Sequence, residues 1–211
     1  EYGVPAERFE QEKDMQTWVV ASFYPPQKVQ GSSEPLKTYR FYDLVRFDAY
    51  QSWQAQNQNI SNPQTMSLSL ANTRPSERID GTAGQKPPEI LQGRVDVFVF
   101  SRDLDPATFS VDGYIQKWFG LQQLQLSSAI GRFDAPSPLQ PGISLARAQV
   151  YNVANVQGNS HNYQYFMAEI GSRDYSVVVG LLTPPAAGDP YNWARNQMAF
   201  DRVVQSIHQG N

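Results

Sequence analysis

Two periodicities divide the chain. In Arg94–Arg102 (RVDVFVFSR) the side chains alternate, with Val95, Val97 and Val99 on one face and Phe98 and Phe100 on the other. That is the pattern of a strand covered on both sides. Tyr163–Ile170 and Tyr175–Thr183 are two further apolar runs, and Gly171-Ser172-Arg173-Asp174 between them predicts a hairpin. Ile143–Val153 alternates with a wetter face, Thr65–Ala71 (TMSLSLA) alternates as a half-buried strand, and Leu36–Phe47 predicts a strand that continues or turns near Asp43. Thr17–Tyr24 is a buried strand in the same sense, ended by Pro25-Pro26.

The period changes to 3.6 in two places. After Asp105-Pro106, an N-cap followed by an N1 proline, the residues Val111, Tyr114, Ile115, Trp118 and Phe119 form one apolar stripe. After Asp189-Pro190, Trp193, Phe200, Val204 and Ile207 form another, closed by Gly210. Hairpin-linked strands imply an antiparallel sheet, and the two striped helices must cover it. The expected fold is therefore α+β, an antiparallel β-sheet flanked by helices, in a single domain over residues 1–211 with 1–15 a polar arm.

Between these elements the signals weaken. Asp48–Asn59 is ambiguous: Tyr50, Trp53 and Gln54 have helical spacing, but the Gln/Asn-rich tail resembles a loop. Residues 72–93 are rich in Pro, Gly and charge and predict one long loop or insertion; loops beyond about 12–15 residues are uncommon and are often functional. Residues 131–142 (GRFDAPSPLQPG) are a second break.

Composition narrows the classes. The chain has 211 residues, 40% apolar and 18% charged, with a net charge of −3 and no block of Lys or Arg. Nucleic-acid binding normally leaves a basic stripe, so that class is excluded. The chain has no cysteine, which excludes disulfides, thiol catalysis and cysteine metal sites. No apolar run approaches the roughly 20 residues of a transmembrane helix. The opening at Glu1 rather than Met leads to the expectation of a removed signal or anchor.

Candidate chemistry is sparse. His161 and His208 have no ligand-spaced partner, and Gly142-Ile143-Ser144-Leu145-Ala146 lacks the second glycine of a nucleophile elbow. Asp103, Asp105 and Asp112 do not follow a calcium-loop spacing, and Asp105 is better used as a helix cap. No cofactor, metal or catalytic residue is expected. Of the four tryptophans, Trp118 and Trp193 lie on helical stripes and belong to the core. Trp53, in polar company, is the candidate for an exposed contact. With Trp53, the candidate partner-binding residues are Arg74, Arg78 and Lys86 of the long loop.

The segments RVDVFVFSR, VDGYIQKWFGLQQ, NYQYFMAEIGSRDYSVVVGLLTP and AFDRVVQSI, taken in order over residues 93–208, resemble the PsbP/Mog1 superfamily of α/β/α sandwiches. That resemblance implies a non-catalytic accessory role. PsbP-like proteins serve photosystem II in the thylakoid lumen, and other relatives are periplasmic lipoproteins or partners of a small GTPase. The expectation is an extracytoplasmic protein, in thylakoid lumen or periplasm, that docks on a protein partner, a membrane-bound complex. Two alternatives stand beside it. One is a small-ligand or glycan-binding enzyme using carboxylates and aromatics, which a deep pocket lined by two facing carboxylates would favour, as a flat apolar patch would favour docking. The other is an NTF2-like assembly subunit of a secretion machine, which requires residues 6–24 and 43–56 to be helical.

Overall fold

The central strand of the protein is Tyr175–Thr183, and its sequence YSVVVGLLT explains why. Every residue from Ser176 to Thr183 is buried, which is possible only with a neighbour on each edge and a layer on each face. A computed structural model describes residues 34–75, 89–155 and 163–210. The chain divides into two compact units, Glu1–Pro35 and Leu36–Asn211, and the strands and helices of the described residues all belong to the second.

In chain order the strands are β1 (Leu36–Phe41), β2 (Val45–Tyr50), β3 (Gln54–Asn59), β4 (Thr65–Pro75), β5 (Glu89–Ser101), β6 (Leu124–Arg132), β7 (Ser144–Asn155), β8 (Tyr163–Gly171), β9 (Tyr175–Thr183) and β10 (His208–Gln209). The helices are α1 (Val111–Leu121) and α2 (Pro190–Gln205). Seven strands form one antiparallel sheet in the order β3-β4-β5-β9-β8-β7-β6, and β1-β2-β10 form a second, small one. The α+β expectation is met.

The two helices lie on opposite faces of the large sheet. Ile115 and Phe119 of α1 pack with Phe98, Phe100, Tyr165, Met167, Val178 and Leu182. Ala199, Phe200, Val203 and Val204 of α2 pack with Val95, Val97, Val99, Val177, Val179 and Leu181. Alternation along β5 and β9 sends successive side chains to opposite helices, so both strands read as nearly unbroken apolar runs. The inner face of the small sheet, Phe41, Val45, Phe47 and Ala49, joins the α2 core.

Asn196 is a polar residue on the buried side of α2. It is wholly buried, and its Nδ2 donates to the Gln92 carbonyl at 2.8 Å and to Thr183 Oγ1 at 3.0 Å. It thereby ties α2 to β5 and β9. Gly93 makes room for it, since a Cβ there would collide with the Asn196 amide. Asn196→Ala is expected to destabilise the protein by about 1–3 kcal/mol, the cost of orphaning buried polar groups, read as a lower urea midpoint at unchanged slope.

Several expectations need correction. The helix expected from Asp105-Pro106 begins five residues later: Ser110 is the N-cap, its Oγ accepting from Gly113 N at 3.1 Å. Asp105 instead holds a turn by accepting from Ala107 N at 2.9 Å. Asp189 is an N-cap as expected, accepting from Asn192 N at 3.1 Å, with Pro190 following. The expected loop 72–93 is shorter, because β4 runs on to Pro75 and β5 starts at Glu89, paired from Pro75↔Glu89 upward. Residues 43–56 are turn and strand rather than helix, which removes the NTF2-like alternative. β6 was not expected, and α2 ends before His208, which belongs to β10. The expectations for residues 1–15 and 17–24 lie outside the described residues.

Candidate functional site

Two of the expected contact residues can be placed. Trp53 is not an exposed contact: it is 2% exposed and packs into the α2 core. The turn after β2, closed by Trp53 N donating to the Tyr50 carbonyl at 3.0 Å, precedes the switch from the small sheet to the large one. The polar residues flanking Trp53 stay in solvent while its ring goes inward. Arg74 holds a strand position in β4 opposite Ile90. Arg78 and Lys86 lie outside the described residues, as does His161.

The structure brings together a group that the sequence did not. Phe133, just after β6, meets Phe166 of β8 at 5.3 Å between ring centres, nearly perpendicular, and Phe200 of α2 at 5.8 Å. The connection from β6 to β7 runs along the helix, with Leu139 N donating to the Gln205 carbonyl at 3.0 Å. Between that connection, the sheet and α2 a cavity of about 230 Å³ remains open. Phe133, Phe166, Leu181, Trp193 and Phe200 supply its apolar wall, and Asp134 and Gln197 its polar groups. Trp193, Gln197 and Phe200 follow one another at helical spacing on α2, so the stripe assigned to core packing is shared between core and cavity. Trp193 is only half-buried. Nearby on the same helix, Tyr191 and Met198 are 76% and 62% exposed.

Other polar groups are tied up in the fold. Arg147 forks onto Asp112 with contacts of 2.6 and 3.0 Å and reaches Glu169 at 2.6 Å. The hydrogen bond to Asp112 is the largest cause holding the guanidinium above its ordinary range. Asp112 thus ties the start of α1 to β7, and Ser176 Oγ donates to the other oxygen of Glu169 at 2.9 Å. Beneath α1, Arg94 contacts Asp96 at 3.0 Å, with both side chains nearly solvent-free, and stacks 4.6 Å over the Trp118 ring. Burial pushes the Asp96 carboxyl up, while Arg94 and a 2.7 Å bond from Ser69 pull it down. Among the described residues no group of three or more His, Asp or Glu could hold a metal ion. No helix there is long and apolar enough to cross a membrane.

No protein-family model matches the sequence, and no curated protein matches it. Among solved structures the chain is similar to the Saccharomyces cerevisiae Ran-binding protein Mog1p, over 85% of this chain and 97% of that one, at 11% identity and a TM-score of 0.39. A mutant form of Mog1 matches over 84% and 97%, at the same identity and TM-score. A crystal structure of the Tle4-Tli4 complex matches over 99% and 86%, at 12% identity and a TM-score of 0.21.

Proposed function

We infer that the chain is a non-catalytic accessory protein that docks on a partner protein by accepting one apolar side chain of that partner into the cavity beside α2. The cavity's size and lining carry this reading. Small-molecule sites usually enclose roughly 300–1,000 Å³, and about 230 Å³ falls short of that. Protein interfaces, in contrast, concentrate their energy in a few aromatic or aliphatic anchors seated in pockets. An aromatic wall with one carboxylate and one amide suits such an anchor.

The enzyme alternative asked for two facing carboxylates. Each of five cavities among the described residues carries at most one, which favours the docking reading. The resemblance to PsbP-like proteins extends this reading to an extracytoplasmic setting and a membrane-bound partner complex.

A photo-cross-linking residue placed at Asp134, exposed at the cavity, tests the docking. In extracts of the source organism it is expected to trap a discrete protein adduct, whereas the same residue at Lys117 on α1, exposed on the opposite face, is not. Equal adducts from both positions would remove the assignment to this face.

A further inference from the structure

The small sheet carries a second site, independent of the docking cavity. On its outer face β1 and β2 place Arg40 directly opposite Arg46, and β10 places His208 on the other side of Arg46. Three basic side chains therefore stand in one row across three strands. Like charges directly opposite each other destabilise a sheet. Among the described residues neither arginine has an ion pair or a hydrogen bond, and both are exposed.

The adjacent row shows the ordinary solution. Thr38 Oγ1 donates to Asp48 at 2.7 Å, and Arg202 approaches the other Asp48 oxygen at 3.3 Å. Asp48 is thus already balanced and does not neutralise Arg46. Concave surface flanks the row on both sides. One depression of about 330 Å³ includes Arg40, Arg46 and Gly210, and another of about 260 Å³ includes Arg40, Arg46 and His208. Asp43 lines the first depression and Asp48 the second, and of these two carboxylates Asp48 is already engaged by Thr38 and Arg202.

Local geometry prepares the row. His208 Nδ1 lies 2.7 Å from the Ser206 carbonyl, and a carbonyl can only accept, so Nδ1 carries the proton. Nε2 remains for a ligand, accepting a hydroxyl proton when the ring is neutral and donating when it is charged. Gly210 N donates to the Leu44 carbonyl at 2.9 Å, and a side chain at Gly210 would overlap the Asp43 carbonyl. That close approach clamps the chain end carrying His208 against β2.

We propose that Arg40, Arg46 and His208 form a binding site for a phosphate-class oxyanion carried by a small soluble molecule. Two planar guanidinium forks suit a tetrahedral oxyanion better than a single point charge does, and the bound anion relieves the repulsion within the row.

The test is a ¹H–¹⁵N titration of the whole chain with inorganic phosphate, at ionic strength held constant with chloride. Saturable shifts are expected at Val45, Arg46, His208 and Gly210, with at least tenfold weaker binding in Arg46→Gln and an intermediate loss in Arg46→Lys. Without phosphate, the thermal midpoint of Arg46→Gln is expected to equal or exceed that of the parent, because a like-charge contact is removed. A purely structural arginine would lower it. Non-saturating shifts, or the same affinity in Arg46→Gln, would overturn the site. Arg46-dependent binding to phosphatidylglycerol-containing vesicles without binding of free phosphate would overturn its assignment to a soluble ligand.

Discussion

Asp96→Ala is expected to lower the unfolding free energy by about 3–5 kcal/mol, the cost of removing one partner of a buried charge pair. Asp96 is wholly buried, and Arg94, 6% exposed, sits beside it. With the carboxylate gone, the guanidinium keeps Gln122 Oε1 and the faces of Trp118 and Phe119, but no counter-charge. A domain has only about 5–15 kcal/mol in hand, so the loss removes much of the margin. The pair Asp48–Arg202 is the internal control: both side chains are about one-third exposed, and breaking such a pair costs about 0–1 kcal/mol. Urea unfolding of Asp96→Ala and Asp48→Ala, measured side by side, checks the difference.

Gly180→Ala is the second large effect, expected at about 3 kcal/mol, the upper end of what overpacking a core costs. Gly180 stands opposite Asp96 on β5 and Met167 on β8. The ring of Tyr165 lies across it from the diagonal position, and a Cβ there would overlap the Tyr165 hydroxyl and ring. Tyr165 cannot yield, being itself wholly buried and packed edge-on against Phe119 at 4.8 Å. Its hydroxyl has no hydrogen-bond partner. Burial, reinforced by the Asp96 charge, pushes that hydroxyl well above the usual phenol range, so it stays a neutral donor. Tyr165→Phe is accordingly expected to be neutral or stabilising. The cost of Gly180→Ala should shrink in a Tyr165→Leu background, and a double-mutant cycle of unfolding free energies reads that coupling. Simple additivity would show that the ring and the glycine do not depend on each other.

How far the sequence reveals an element depends on what that element buries. β5, β8, β9 and the stripes of both helices are legible because their apolar periods reflect faces that are in fact covered. β3 (QAQNQN) is exposed at all six positions, so no alternation marks it, and only its pairing with β4 makes it a strand. β6 starts with Leu124 and Leu126, but register shifts after Leu126 and Ala129 break the period of two. Trp53 misleads for the opposite reason: its neighbours in sequence are polar, while its neighbours in space come from the α2 core. The cavity beside α2 gathers residues from the end of β6, from β8 and β9 and from α2, and nothing local in any of them signals the meeting. Arg40, Arg46 and His208 come into one row only through the hairpin turn at Tyr42–Leu44 and the return of the chain after α2.

The docking proposal is tested most directly by filling the cavity from within. Gln197→Trp places a ring in the space beside Trp193 and Phe200, and the Asp134 cross-linker then reports whether the partner still seats. A stably folded Gln197→Trp chain that loses the adduct is the predicted result. An adduct formed at undiminished yield by the filled chain would refute docking at this cavity.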